Sequence, residues 1–248
     1  MSKITISKNA IKRLLLDVKE IIKHPLENNG IYYKHDNNDM LKGTAMIIGP
    51  EGTPYHNGYY LFKFKFPVNY PFQPPKVEYM TNDGTTRFNP NLYRNGKVCV
   101  SILNTWSGDQ WTGCQTISSV LLTLCTLLND NPLLNEPGIL ENNKNVKPYN
   151  SIIKYKNIQH AICNVIMNNN AIFSHFHPTM TEHFLKNYDS IMNNIQEYRK
   201  ENDKCTLNTT IYRMETNIDY DSLEKILSDL FNTLNGDKKK ESGSLLKK

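Results

Sequence analysis

The segment from residue 60 to residue 80 constrains the fold most strongly. Between residues 60 and 66, three phenylalanines alternate with Lys63 and Lys65, which predicts a strand with one buried face. Four prolines follow by residue 75. Because proline lacks a backbone N–H, this stretch cannot continue a sheet. Residues 76–80 then predict another short strand. The pattern predicts antiparallel strands joined by irregular turns.

Helices are predicted on both sides of these strands. In the first helix, apolar side chains recur at helical spacing, with Ser7 as the N-cap and Pro25 as the stop. Its predicted core face consists of Ile11, Leu14, Leu15, Val18, Ile21 and Ile22. Residues 43–48 predict a strand, and residues 115–128, 149–167, 179–198 and 221–234 predict amphipathic helices. A helix, a run of strands and a run of helices together predict an α+β fold with an antiparallel sheet.

Composition and cysteine usage exclude several classes of protein. The 248 residues carry a net charge of only +5, and their basic cluster at 238–240 and 247–248 has no aromatic residues interleaved. We therefore expect a solvated tail and no nucleic-acid partner. The five cysteines are odd in number and lack a Cys-x-x-Cys pair, which argues against a disulfide framework or a metal site.

The apolar segments indicate where the protein acts. The longest apolar stretch, at 120–128, is too short to span a bilayer. Residues 1–8 lack the apolar core of a signal peptide. We therefore expect a cytoplasmic or nuclear protein, or one found in both compartments, that has no membrane partner.

Cys99 is the candidate reactive residue. It lies where the turn-rich stretch 89–97 runs into a short apolar segment, so we expect its sulfur to face a groove and to act as a covalent carrier. No histidine is nearby in sequence to serve as the base of a cysteine hydrolase, and no second cysteine is close enough for a redox pair. Exchange between a thiol and a thioester needs no strong base, because the leaving thiolate is good.

A carrier thioester attacked by an amine forms a tetrahedral oxyanion, which needs a neutral hydrogen-bond donor. Asn91, in the turn before Cys99, is a candidate for that donor. Its amide could equally satisfy backbone groups of the turn. The sequence leaves both readings open.

Several motifs resemble one known family when they are taken in order. They are YPFQPPKV at 70–77, NPN at 89–91, GKVCVSIL at 96–103, QW at 110–111 and ISSVLL at 117–122. In this order and spacing they resemble the catalytic domain of ubiquitin-conjugating enzymes, over about residues 11–199. The run RFNPNLYRNGKVC at 87–99 and NEPG at 135–138 resemble the Z-type branch, and IDYDSL at 218–223 resembles that branch's C-terminal extension.

The resemblance implies a fold, a domain division and an activity. The implied fold has an N-terminal helix, a four-stranded antiparallel meander and C-terminal helices. The catalytic domain would cover residues 1–200, a helical extension 201–236 and a basic flexible tail 237–248. The implied enzyme accepts ubiquitin or a ubiquitin-like modifier from an activating enzyme as a thioester on Cys99. It passes the modifier to a lysine of a protein substrate, usually with a ligase. It holds no cofactor, since the activating enzyme consumes the ATP. The alternative is a catalytically weak module of the same fold that binds modifier or ligase.

The resemblance also assigns roles to individual residues. Cys99 matches the thioester-forming cysteine, and Asn91 matches an asparagine that stabilises the oxyanion or holds the loop. Ser101 stands where many members carry an acidic gate residue, so activation of the incoming lysine by charge would be weaker. Phe72 matches an apolar residue gripped by ligases. Lys8, Lys12 and Arg13 match the surface that meets the activating enzyme and some ligases.

Three departures from the family pattern stand out. Asn89 replaces the usual histidine before Pro90, as in the Z-type branch, and we expect this position to be structural. Residues 106–109 are inserted relative to the commonest members. Thr112, Gly113 and Cys114 replace the usual Ser-Pro-Ala of the ligase-binding loop, so Gly113 is a candidate partner contact whose ligases would differ from the standard ones.

Overall fold

The computed structural model describes the backbone of residues 6–245 and the side chains of residues 6–236. Contacts divide the chain into two compact units, Met1–Asn143 and Lys144–Lys248. The boundary between them falls inside the catalytic domain that we predicted to run from residue 1 to residue 200.

The first unit contains the predicted sheet. Its elements are α1 (Lys8–Lys23), β1 (Ile31–His35), β2 (Lys42–Ile48), β3 (Tyr59–Lys65), β4 (Lys76–Tyr79) and α2 (Ile117–Thr126). The strands pair in the order β1-β2-β3-β4, each antiparallel to the next. The α+β fold with a four-stranded meander is thereby confirmed. Within this sheet, β1 is the strand that the residue pattern alone did not indicate.

The alternation in β3 is confirmed at its second half. Phe62, Phe64 and Phe66 are buried, whereas Lys63 is half-buried and Lys65 is exposed. The side chains of β3 therefore contribute an aromatic row to the core on one face of the sheet.

Helix α1 buries a narrower stripe than the one predicted. Its N-cap is Ser7, whose Oγ accepts a hydrogen bond from the Ala10 N–H at 3.0 Å. Leu14 and Ile21 are buried as expected, but Leu15 is 54% exposed and Ile22 is 74% exposed. Each follows a buried residue by one position, a rotation of about 100° around the helix. The side chain that completes the buried stripe is a carboxylate, Asp17.

The second unit is mainly helical. Its elements are α3 (Val146–Lys156), a π-helical run (Asn157–Asn164), α4 (Val165–Asn168), α5 (His177–Glu201), β5 (Cys205–Thr209), β6 (Met214–Ile218) and α6 (Tyr220–Leu245). The predicted helix 149–167 is thus a helical run that changes from α to π and back. Helix α6 continues into the predicted tail 237–248, of which residues 246–248 lie outside the described backbone.

The hairpin formed by β5 and β6 was not predicted. The two strands pair antiparallel from Cys205 with Ile218 to Thr209 with Met214. Along β6, Met214, Thr216 and Ile218 are buried and the residues between them are exposed. That alternation is visible in the sequence, but it spans only five residues within a polar region. In the described part of the chain, no helix combines the length and apolar character needed to cross a membrane.

We expect Thr81→Val to destabilise the first unit, because the Thr81 hydroxyl extends the β3–β4 ladder beyond Tyr79. The buried hydroxyl accepts from the Leu61 N–H at 2.9 Å and donates to the Tyr59 carbonyl at 2.8 Å. Valine keeps the volume but leaves the buried Leu61 N–H without its acceptor and removes one donor from the Tyr59 carbonyl, at a cost of about 1–3 kcal/mol for the N–H. Urea unfolding followed by tryptophan fluorescence measures the loss.

Thr112→Val is the matched control for this substitution. Thr112 is exposed, and its hydroxyl makes no hydrogen bond among the described residues, so its free energy of unfolding should change by less than about 0.5 kcal/mol. Equal stability of the two variants would show that the Thr81 hydroxyl does not hold the ladder.

Candidate active site

The segment 89–105, here called the active-site segment, is anchored by Asn89. This residue is fully buried. Its amide donates to the Tyr55 hydroxyl at 3.0 Å and to the Leu127 carbonyl at 2.7 Å, while its Oδ1 accepts from the Asn91 N–H at 2.9 Å. The asparagine therefore ties the start of the segment to two other parts of the first unit. Its contacts are those of a structural residue.

A tight turn docks the middle of the active-site segment on β4. Gly96 has a φ of +86°, and a Cβ there would lie 3.1 Å from the Tyr79 carbonyl oxygen. Glycine is required because the left-handed conformation and the close approach coincide. The Tyr79 N–H donates to the Gly96 carbonyl at 2.8 Å. The turn thereby directs the chain back toward Asn91.

Asn91 binds both main-chain polar groups of Cys99. The Cys99 N–H donates to the Asn91 carbonyl at 2.9 Å, and the Asn91 Nδ2 donates to the Cys99 carbonyl at 2.7 Å. The Asn91 Oδ1 is buried without a hydrogen-bond partner among the described residues. In this conformation the side-chain amide acts on the backbone of Cys99, which is the loop-holding alternative that the sequence left open.

The sulfur of Cys99 is turned inward. Cys99 is 3% exposed, and its thiol donates to the Thr105 carbonyl at 2.9 Å. The expectation that the sulfur faces an open groove is not met in this conformation, because the chain after Leu103 turns back and places Thr105 against it. The polar sequence before Cys99 gives no sign of that turn.

A cavity of about 410 Å³ lies beside the active-site segment. It is lined on one side by Pro74, Pro75 and Val77, and on the other by Val98, Leu103 and Thr105. Residues on both sides of Cys99 thus border the cavity, although Cys99 itself does not line it. The proline-rich turn that precedes β4 thus forms one wall of this cavity.

The inserted residues form a closed loop next to Ser101. Asn104, in the left-handed conformation with a φ of 55°, accepts a hydrogen bond from the Trp111 N–H on its Oδ1 at 2.8 Å. A Cβ on Gly108 would lie 3.2 Å from the Cβ of Ser101. Ser101 is half-buried at the start of a single 3₁₀ turn. The loop 104–110 therefore passes close to Ser101.

Most of the predicted partner-binding residues lie at the surface. Phe72 is 73% exposed, and Lys8, Lys12 and Gly113 are also exposed. The Ser7 N–H donates to the Val68 carbonyl at 3.1 Å, which joins the start of α1 to the turn that carries Phe72.

Arg13 differs from the other predicted partner residues. Its Nε donates to Asp17 Oδ1 at 2.8 Å, and its guanidinium also donates to the carbonyls of Gly113 and Gln115. Its side chain is 19% exposed. Arg13 is therefore engaged in holding the loop that contains Gly113, and its contribution to partner binding would be indirect.

Tyr70 completes the network around Asp17. The Tyr70 hydroxyl donates to Asp17 Oδ2. Burial raises the pKa of the Tyr70 phenol most, and this hydrogen bond raises it further. The Trp111 Nε1 donates to the Pro71 carbonyl at 2.7 Å. One buried carboxylate thus joins α1, the proline-rich turn and the loop after Trp111. The sequence signal that could have revealed it is the i, i+4 spacing of Arg13 and Asp17 on an otherwise apolar face.

Neither a histidine partner of Cys99 nor a metal-binding cluster is present among the described side chains, which are those of residues 6–236. No histidine among them makes a hydrogen bond to Cys99. The same residues contain no cluster of histidine, cysteine and acidic side chains arranged to hold a metal ion.

Comparison with known proteins identifies the class. The family described as "Ubiquitin-conjugating enzyme" matches residues 13–160, which include the whole active-site segment. The chain therefore belongs to the ubiquitin-conjugating enzyme family.

Within that family the chain is similar to proteins of the Z branch. It is 39% identical to ubiquitin-conjugating enzyme E2 Z of Xenopus tropicalis over 74% of this chain and 59% of that protein. It is 41% identical to E2 Z of Homo sapiens over 71% of this chain and 50% of that protein. A probable ubiquitin-conjugating enzyme protein 17 of Caenorhabditis elegans is 30% identical over 84% of this chain and 30% of its own length. The chain thus spans about three fifths or less of these relatives.

We expect Arg13→Ala to destabilise the first unit and loosen the loop at 112–115. The substitution leaves the buried Asp17 without its cation and removes the donors to Gly113 and Gln115. The expected loss is about 2–3 kcal/mol, below the value for a fully buried pair because Arg13 is partly exposed. Urea unfolding measures the loss, and hydrogen exchange should be faster at the Gln115 amide.

Lys12→Ala is the neighbouring control, since it removes an exposed cation from the same helix. Its stability and exchange should match the wild type within about 0.5 kcal/mol. If Arg13→Ala behaves like Lys12→Ala, Arg13 is a surface residue and the network does not hold the loop.

Proposed function

We propose that this chain carries ubiquitin or a ubiquitin-like modifier as a thioester on Cys99 and transfers it to a substrate lysine. In loading, the Cys99 sulfur attacks the thioester carbonyl presented by an activating enzyme. The bond to the donor sulfur breaks, and the Cys99 proton balances the thiolate that leaves. In discharge, a lysine amine attacks the new thioester, the amide forms and the Cys99 thiol is released.

The observation that carries this proposal is the double attachment of Cys99 to Asn91. Both main-chain groups of the cysteine are bound, at 2.9 Å and 2.7 Å, so its Cα is fixed beside a cavity while only the side chain remains to be moved. A fixed nucleophile lowers the entropic cost of meeting a bulky acyl donor. Membership of the ubiquitin-conjugating enzyme family supports the same chemistry.

Loading requires the sulfur to leave its present partner. While the thiol is bonded to the Thr105 carbonyl, its sulfur does not point toward a thioester presented at the protein surface. Rotation about χ1 of Cys99, or displacement of the loop 104–110, would release the sulfur from the Thr105 carbonyl. Rotation breaks one weak hydrogen bond of the thiol, whereas displacement of the loop would also break the bonds of Thr105 to Val98 and Val100.

The surface residues fit the partners of such an enzyme. Phe72 and the Gly113 loop would receive a ligase, and the exposed Lys8 and Lys12 would meet the activating enzyme. With ATP used by that activating enzyme, the chain itself would need no cofactor. The substrates would be proteins, met in the cytoplasm, the nucleus or both.

The buried thiol favours a second candidate function. A module that binds modifier or ligase without transfer needs no accessible sulfur, and Cys99 is 3% exposed. The two candidates differ in one measurable property, which is formation of a covalent adduct.

A loading assay decides between them. We expect the chain, mixed with activating enzyme, ATP and modifier, to form an adduct that resists denaturation and is released by thiol reagents. Cys99→Ala should abolish it, and Cys99→Ser should give an ester that thiol reagents do not cleave. Non-reducing electrophoresis measures each outcome.

Cys114→Ala is the control, because Cys114 is the exposed thiol closest in sequence and should be dispensable. An adduct that survives Cys99→Ala would refute the assignment of the carrier. Absence of any adduct, with ubiquitin and with related modifiers, would favour the binding module.

Asn91→Ala tests which role the amide has. Because its Nδ2 is bonded to the Cys99 carbonyl, we expect loading and discharge to slow to a similar degree, by about tenfold or more in single-turnover assays. Asn91→Asp, which replaces the donor by a carboxylate, should slow loading and discharge to the same degree as Asn91→Ala. A loss confined to discharge would instead assign Asn91 as the oxyanion donor.

A further inference from the structure

We propose that Thr105 is a positioning residue for Cys99, which rests on the proposed function of Cys99 as carrier. Thr105 lies six residues after the cysteine, at the edge of the inserted loop. Its hydroxyl holds the main chain on both sides of Cys99, and its carbonyl receives the thiol.

The Thr105 hydroxyl joins the residues that flank Cys99. It accepts a hydrogen bond from the Val100 N–H at 2.9 Å, and it lies 2.9 Å from the Val98 carbonyl oxygen and 3.0 Å from the Val100 carbonyl oxygen. A hydroxyl has one proton and two lone pairs, so it can receive the N–H while it donates to a carbonyl. The Thr105 side chain thus contacts both the residue before Cys99 and the residue after it.

These backbone groups have little access to water. Val98 is 2% exposed and Val100 is 5% exposed, and neither residue lies in a regular strand. The polar groups of buried irregular backbone must find partners within the protein. Asn91 binds the main chain of Cys99 itself, and Thr105 binds that of its neighbours, so the two residues together restrain three consecutive positions.

The same residue determines the resting direction of the sulfur. The Thr105 carbonyl accepts the Cys99 thiol at 2.9 Å, and the Thr105 N–H donates to the Val100 carbonyl at 3.3 Å. Loosening Thr105 would therefore free the sulfur from its inward position and also let the Cα of Cys99 drift. The first effect exposes the thiol to small reagents, whereas the second impairs its meeting with a bulky thioester.

The two effects change the alkylation rate and the loading rate of Cys99 in opposite directions. A purely structural role would not produce that combination. In Thr105→Val, which keeps the volume and removes the hydroxyl, alkylation of Cys99 by iodoacetamide should become about threefold faster or more. Single-turnover loading with ubiquitin should become about tenfold slower. Thr105→Ser, which keeps the hydroxyl, should restore both rates to within about twofold of the wild type. Mass spectrometry measures alkylation, with Cys114 of the same chain as the internal reference.

Thr179→Val in α5 is the control, since the Thr179 hydroxyl makes no hydrogen bond among the described residues, and both rates should be unchanged. The proposal is overturned if Thr105→Val matches the wild type in alkylation, or if Thr105→Ser is as impaired as Thr105→Val. If the wild type accepts no modifier, the proposed function fails. The alkylation rates of the two Thr105 variants then decide alone whether the hydroxyl positions the thiol.

Discussion

Buried backbone without regular structure is the constraint on which the first unit depends. A sheet or helix satisfies its own N–H and C=O groups, but the chain from Asn89 to Thr105 contains only isolated bridges, turns and one 3₁₀ turn, and its residues Val98, Cys99 and Val100 are buried. Short polar side chains supply the missing partners. Asn89, Asn91 and Thr105 each bind main-chain groups, and Thr81 does the same at the end of β4. The main chain around Cys99 is thus held in place by amides and hydroxyls.

A second buried polar group, the Asp17 carboxylate, helps to hold the loop that contains Gly113. Asp17 is buried in the stripe that α1 turns toward the core, and its oxygens accept hydrogen bonds from Arg13 and Tyr70. A buried carboxylate is costly unless it is paired and hydrogen-bonded, and here both conditions hold. Because the same guanidinium binds the loop that contains Gly113, the charge of Asp17 is coupled to the shape of a candidate partner surface.

The sequence predicts those parts of the fold that follow from local periodicity. The aromatic row of β3, the N-cap of α1 and the order of strands before helices are read directly from residue spacing. Side chains that act at a distance are less visible. Arg13 appears as one more surface cation until its partner Asp17 is placed in the core. Leu15 and Ile22 appear as core residues because a helical pattern does not reveal how wide the buried stripe is. The five-residue strands β5 and β6 are too short to be distinguished from polar loop.

The burial of Cys99 has a chemical consequence for either function. Rotating the Cys99 side chain away from Thr105 breaks one hydrogen bond of the thiol, and it leaves the backbone bonds from Asn91 and Thr105 in place. Backbone that stays fixed while one side chain rotates is a low-cost route between a closed and a reactive state. The sequence around a nucleophile therefore predicts its identity more readily than its accessibility, because accessibility depends on a turn formed by residues that follow it.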